Sequence, residues 1–384
     1  MSTNHFPTSL EELDTPALIV DAARYEYNVA RCFAALAGSR VTVRPHLKTA
    51  KTPIVARYLL EHGAQGICVA KLGEAEIMAA HGIDDILITT EIVGAPKVAR
   101  LMALLRDYPQ VKTVVDSLDG AQAIDRAAGG FGVRVQVLLD VNVGQNRCGV
   151  QPERAAVFAQ QVQQLSNLEL IGVQGYEGHL QHLRDPEDRR RQARAAMDRL
   201  ALAVAAIRHL GIAVPVVTTG GTGTSVFCAE HPLVTEVQPG SFIFMDSDYL
   251  ATGGLPFMSA LTVLATVISA ASSDRVVIDA GHKSLSMDSG FAQPKNLSGW
   301  RYEPAGDEHG LLIRDPAAIP TAIPTAIPIP ARDPAATSNL SVGDRIELIP
   351  SHIDTTVNLH DAFMVQRDGV LEACWPIVAR GKVQ

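Results

Sequence analysis

The chain of 384 residues is 47% hydrophobic and 19% charged, with a formal net charge of -8 at pH 7. That length exceeds what one hydrophobic core usually serves, so one large and one smaller domain are expected in a soluble, globular protein. No apolar run approaches the twenty or so residues of a membrane span, and no dense basic patch offers a surface for nucleic acid, so neither membrane nor nucleic acid is expected as a partner.

The N-terminal stretch MSTNHFPTSLEELDTP has neither a basic region nor an apolar core of the kind that directs export, and a cytoplasmic location is expected. From about residue 16 to 245, short β-branched runs alternate with Ala-rich segments of helical period. The runs are ALIVD (17 to 21), VTVRP (41 to 45), GICVA (66 to 70), DILIT (85 to 89), KTVVD (112 to 116), RVQVLLDV (134 to 141), LIGVQGY (170 to 176), PVVTTGG (215 to 221) and VTEVQPG (234 to 240). Between them lie helical segments such as EAEIMAAHG, closed by a glycine. This repeat predicts an α/β architecture, a (β/α)8 TIM-type barrel rather than an open doubly wound sheet. RDPEDRRRQAR (184 to 194) interleaves acids with its arginines and reads as a solvated helix face, and the five widely spaced cysteines read as reduced thiols.

Past residue 255 the strands lose their intervening helices: ALTVLATVISA, RVVIDAG, DRIELIPSHI and the hairpin AFMVQRDGVLEACWPIV with DG at its turn. A C-terminal all-β domain follows. The barrel is assigned to residues 24–254, and the β domain to 1–23 and 255–384. Within the latter, prolines recur in AIPT-like units over 316–336, too densely for a helix or central strand, and an extended, mobile surface loop is expected.

In such a barrel the reactive groups stand at the C-terminal ends of the strands. That rule collects Lys48 after VTVRPHL, Arg147 in DVNVGQNRCGV, Tyr176, His179 and His182 in GYEGHLQH, TTGGTGT at 218–224, and GSFIFMDSDY at 240–249. TTGGTGT offers backbone N–H groups and hydroxyls to a phosphate, yet lacks the spacing of a nucleotide loop. A lysine facing a mouth that also holds a phosphate cradle can carry pyridoxal phosphate (PLP) as a Schiff base. Lys51 competes for that role but lies past the strand end, and it is ranked as structural. In the β domain, His352 and Asp354 of PSHIDTTVNLHD are one residue apart. On an extended strand they would face the same side and could share a divalent ion, with Mn, Mg, Co and Zn all compatible.

Together DTPALIVD, RPHLKTAK, LDVNVGQNRCGV, GVQGYEGHLQH, GGTGT, GSFIFMDSDY, DEHG and PSHIDTTVNLHD resemble the D-threonine aldolase and D-serine dehydratase family of PLP enzymes, whose fold is of the alanine-racemase type (PLP fold type III). The resemblance spans residues 14 to 381 apart from the proline-rich repeat. It implies PLP, a divalent metal (manganese first), a small D-3-hydroxy amino acid as substrate, and a homodimer. It makes Lys48 the covalent cofactor lysine and places Arg147 at the cofactor ring, Tyr176 beside it, and Gly221, Thr222 and Gly223 on the phosphate. His352 and Asp354 would ligate the metal. His182 would be the second base, with His179 a lesser candidate.

Two departures stand out: Ala50 where the family often has histidine, and CVAK (68 to 71) where the aldolases carry CCQK. The metal motif reads HxD, as in the aldolases, rather than the HxC of the dehydratases. The implied reaction is therefore retro-aldol cleavage of a D-threonine-type substrate to glycine and an aldehyde. D-serine or 3-hydroxyaspartate dehydration and 3-hydroxy-D-aspartate cleavage are the alternatives. A non-catalytic PLP-binding barrel would not need the appended β domain, and a racemase would need a second base there that no tyrosine motif supplies.

Overall fold

A computed structural model describes residues 6–315, 317–318 and 339–384. The expected loop at 316–336 thus lies outside the described residues except for Ala317 and Ala318. The chain divides into two compact units. One comprises Met1–Arg31, Ser241–Ala251 and Leu255–Arg380; the other comprises Cys32–Gly240, Thr252–Gly254 and Gly381–Gln384. Against the boundaries read from sequence, most of the helix Ala22–Leu36 and the segment Ser241–Ala251 go with the β unit.

The first strand, β1 (Ala17–Asp21), belongs to the β unit although its sequence opens the βα alternation. The next eight strands form the barrel unit: β2 (Thr42–Val43), β3 (Ile67–Val69), β4 (Ile86–Ile88), β5 (Lys112–Val115), β6 (Val135–Asp140), β7 (Leu168–Gln174), β8 (Val216–Thr219) and β9 (Glu236–Val237). They pair in parallel in the order β2-β9-β8-β7-β6-β5-β4-β3. The ring closes just beyond β2, where Cys68 N–H donates to Pro45 O (2.8 Å) and Leu47 N–H to Cys68 O (2.7 Å). Closure leaves the parallel sheet without an unpaired edge, the arrangement of a (β/α)8 barrel.

Helices follow the strands as the periodicity predicts. Pro53–Glu61 begins with proline at its first turn and buries Val55, Ala56 and Leu59. Leu118–Phe131 stops at Gly132, whose φ of 67° is the left-handed value glycine adopts without strain. Pro186–His209 is capped by Asp185, whose side chain accepts the Asp188 N–H at 2.7 Å. Cys68, Leu87, Val114 and Leu138, from four successive strands, pack into one buried cluster with Ile171 and Val216 at its margin.

In the β unit, β1 is central. It runs antiparallel to β10 (Leu261–Ser269) and parallel to β16 (Ala362–Arg367). The nine-stranded sheet is completed by β11 (Arg275–Ile278), β12 (Gln293–Pro294), β13 (Trp300–Pro304), β14 (Gly310–Arg314), β15 (Arg345–Ile349) and β17 (Val370–Pro376). β16 and β17 form the predicted hairpin, with Asp368 and Gly369 at φ of 52° and 84°, as a primed turn requires. Tyr25, Phe244, Phe363 and Trp375 make a chain of tilted and edge-on ring contacts in this unit.

Candidate active site

Beyond β2 the backbone turns sharply through residues 47–50, with Lys48 half-buried in the turn. The His46 ring beside it is fixed by donor and acceptor accounting. The Thr89 hydroxyl donates to Val69 O (3.2 Å), so its oxygen takes the His46 Nε2–H (3.0 Å), and Nδ1 is left to accept the Lys48 N–H (3.3 Å). Burial, then the charges of Lys48, Arg147 and Lys51, hold the imidazole well below its ordinary pKa, so it is neutral. Lys51, ranked as structural, is only 7% exposed and pairs with buried Glu74 at 2.6 Å. Ala50, the first departure from the family pattern, is fully buried.

Arg147 stands in the loop after β6, with its guanidinium carbon 5.7 Å from the centre of the Tyr176 ring. Burial, then the neighbouring Glu177 carboxylate, raises the Tyr176 phenol, which stays protonated. Below the mouth, buried polar side chains at the ends of four adjacent strands join in a ladder. Gln238 donates to Thr218 Oγ1 (2.8 Å) and Gln174 Oε1 (3.2 Å), and Gln174 donates to Asp140 Oδ1 (3.0 Å). Burial, with Glu91 and Asp116 nearby, pushes Asp140 up to about 7.

The glycine loop after β8 is held from beneath by residues that motif reading passed over. Glu177, wholly buried, accepts from Thr219 Oγ1 (2.9 Å), Thr224 Oγ1 and Gln181 Nε2 (3.2 Å). Gln181 in turn accepts the Gly223 N–H at 2.9 Å and donates to Thr224 Oγ1 at 2.8 Å. Arg189 corrects the reading of RDPEDRRRQAR as surface. It is 0% exposed, its Nε donates to Gly223 O (2.8 Å) and its Nη2 to Gly253 O (2.6 Å), because a guanidinium can satisfy several loop carbonyls at once. Thr222 is buried within the loop. A Cβ at Gly223 would lie 2.3 Å from the backbone Gln181 O, so only glycine fits there, whereas one at Gly221 would lie 2.5 Å from Gln181 Oε1, a side-chain end that must shift to make room. His179, within the single turn Gly178–Leu180, and His182, two residues past it, are both exposed.

The ligand atoms of Glu91, Asp116 and Cys148, at the ends of β4 and β5 and after β6, lie within 4.8 Å of one another. Sequence spacing gave no hint of this cluster.

In the β unit, His352 and Asp354 are not on a strand as expected. His352 is extended (φ -145°) and precedes the short helix Ile353–Val357, and Asp354 lies in that helix's first turn. The turn is pinned by Asp246 of the GSFIFMDSDY segment, which accepts the Ile353 N–H at 3.1 Å and the Tyr249 N–H at 2.8 Å. Burial pushes Asp246 up to about 6. His352 Nδ1 lies 2.6 Å from Asp288 Oδ2, and hydrogen bonds from Ser286 and His352 outweigh burial to hold that carboxyl down at about 2.

The residues fit the groups the sequence implies. The barrel unit supplies an amine at Lys48, a guanidinium over a phenol, and a glycine loop that admits no side chain at Gly223. The β unit supplies an imidazole and a carboxylate, a donor pair suited to a divalent ion.

Residues 20–248 match the alanine racemase N-terminal domain family, and residues 260–366 the putative serine dehydratase domain. The chain is 38% identical to a D-threonine aldolase from Arthrobacter sp over 97% of its length and 94% of that protein. It is 32% identical to a 3-hydroxy-D-aspartate aldolase from Paracoccus denitrificans, over 97% and 93%. The crystal structure of D-threonine aldolase from Filomicrobium marinum superposes with a TM-score of 0.89 at 35% identity, covering 99% of both chains. With a closed parallel barrel, a β unit and these relatives, the chain belongs to the D-threonine aldolase and D-serine dehydratase family of PLP-dependent lyases with the alanine-racemase-like fold.

Proposed function

We propose that the protein cleaves D-3-hydroxy amino acids of the D-threonine type to glycine and an aldehyde, with PLP and a divalent metal. The observation that carries this reading is the imidazole and carboxylate pair of His352 and Asp354, in a chain 38% identical over nearly its whole length to a D-threonine aldolase.

Lys48 would hold the cofactor covalently, Arg147 and Tyr176 would hold its ring, and Gly221, Thr222 and Gly223 its phosphate. Bound PLP supplies an electron sink for the pair left on Cα when a bond to it breaks. A divalent cation on His352 and Asp354, manganese first with magnesium, cobalt or zinc as alternatives, supplies Lewis acidity that lowers a hydroxyl pKa. His182 removes the 3-hydroxyl proton as general base, and cleavage between Cα and Cβ follows from that deprotonation. His46, neutral and fixed in tautomer, accepts the Lys48 N–H and keeps the turn in place. A homodimer and a cytoplasmic location complete the proposal. Among the described residues, no helix is long and apolar enough to cross a membrane.

The test is a product assay on purified protein with PLP, Mn2+ and D-threonine, with and without a chelator. Glycine and acetaldehyde that disappear with chelator support the proposal. 2-Oxobutanoate and ammonia would instead identify a dehydratase, the reading favoured by the serine dehydratase match over 260–366.

A further inference from the structure

The loop at Asp288 is bound closely to the turn carrying His352 and Asp354. The Ser286 N–H donates to Thr356 Oγ1 (3.2 Å), and Ser351 Oγ donates back to Ser286 O (3.2 Å). Asp288 Oδ1 accepts the hydroxyls of Ser286 (2.6 Å) and Thr355 (3.1 Å). Its other oxygen, Oδ2, faces His352 Nδ1 at 2.6 Å. A carboxylate only accepts, so Nδ1 carries the proton in this contact, and a ring that ligates a metal then does so through the lone pair on Nε2. Two hydroxyl donors fix the carboxylate, the carboxylate fixes the ring, and the ring has one nitrogen left to ligate.

We propose that Asp288 is a positioning residue for the metal, orienting His352 and holding it in the Nδ1–H tautomer so that Nε2 is presented as the ligand. The inference rests on His352 being a metal ligand. Carboxylates that orient ligating histidines in this way typically change metal affinity by about 10–100-fold when removed. Asparagine is a discriminating replacement. If its single oxygen faces His352, its amide nitrogen meets the Ser286 and Thr355 hydroxyls that Asp288 now accepts; if it turns over, the nitrogen meets the Nδ1–H.

The experiment titrates Mn2+ alone into metal-stripped, PLP-loaded protein, reading free Mn2+ by electron paramagnetic resonance, for wild type, H352A, D288N and D288A. Long-range proton–nitrogen correlation spectra of the metal-free proteins report the His352 tautomer. The expected result is loss of the tight site in H352A and a dissociation constant raised about 10–100-fold in both Asp288 variants. The Nδ1–H signature should be present in wild type and lost or mixed in D288A, with the visible cofactor band unchanged. Wild-type Mn2+ affinity in D288N and D288A, beside a lost site in H352A, would overturn the role of Asp288 and leave the metal reading intact. Wild-type affinity in H352A would overturn both. An Nε2–H tautomer in wild type would overturn the positioning argument independently of any affinity.

Discussion

Replacing Glu74 by glutamine tests what holds the Lys48 turn. Lys51 and Glu74 are 7% and 2% exposed, and Oε1 of Glu74 takes the Lys51 ammonium at 2.6 Å. The second oxygen accepts the N–H groups of Ala70 (2.8 Å) and Lys71 (3.1 Å) at the start of the next helix. Lys51 sits at φ 52°, a left-handed conformation costing an L-residue about 1–2 kcal/mol, and its N–H closes the turn onto Leu47 O at 2.8 Å. The ion pair thus anchors an unfavourable backbone position three residues past Lys48. Removing one partner of a buried pair costs about 3–5 kcal/mol, because the other charge stays behind in a dry site. E74Q keeps an acceptor for the two N–H groups but none of the charge, so that loss is expected in urea unfolding of PLP-free protein followed by circular dichroism. PLP binding should weaken in parallel. K51M/E74Q removes the stranded ammonium while keeping an acceptor for the Ala70 and Lys71 N–H groups, and should recover at least about 2 kcal/mol, since the cost of a broken buried pair is that of its uncompensated charge. An E74Q protein within about 0.5 kcal/mol of wild type, or a double variant no better than E74Q, would refute the reasoning.

Four other substitutions probe the barrel mouth. G223A meets the backbone oxygen of Gln181 and G221A only its side-chain end, so PLP affinity measured by fluorescence should fall further in G223A; the reverse order would contradict the cradle. K48A should lose both turnover and borohydride fixation of PLP to the chain, and a K48A protein that is still labelled would move the cofactor lysine elsewhere. Asp140 is raised in the folded state to about 7, so the stability it contributes is complete below its unfolded value near ~4 and is lost as pH rises through about 7. D140N cannot ionise, so in urea titrations it should exceed wild type at pH 8 by a margin that shrinks toward pH 5. A margin independent of pH would show that Asp140 is not the group responsible.

The barrel was readable because its signal is repetitive: eight β-branched runs between VTVRP and VTEVQPG became eight parallel strands in chain order. ALIVD looked identical locally, yet it falls within residues 1–23, which were assigned to the β domain, and it pairs there with β10 and β16. β12, β13 and β14 were not among the runs read from the sequence. β12 is two residues long, and β13 is the mixed run WRYEP, where Trp300 and Tyr302 are buried between polar neighbours and a proline ends the strand. The expectation for HID failed through local geometry: Asp246, more than a hundred residues earlier, takes the Ile353 N–H and sets the chain into a helical turn where an extended strand had been expected.

The same limit explains which site residues were missed. Lys48, Arg147 and the glycine loop stand out because their residue types are unusual where they fall, whereas Glu177 and Gln181 lie inside the quoted segment GYEGHLQH and look like ordinary loop polarity. Their importance comes from burial, since an unpaired carboxylate or amide in a dry interior is costly and each must find several partners. Arg189 is the sharper case. Neighbours Arg190 and Arg191 pair with Glu230 and Asp188 on the exposed face, as the charge pattern implied, while Arg189 turns inward to the carbonyls of Gly223 and Gly253. Three consecutive residues on a helix point about 100° apart, so one of the three in an RRR run must face the core side. Charge counting cannot tell which, but helical phase can: Arg189 falls in register with the buried Ala193, Ala196 and Leu200, at spacings of four, three and four.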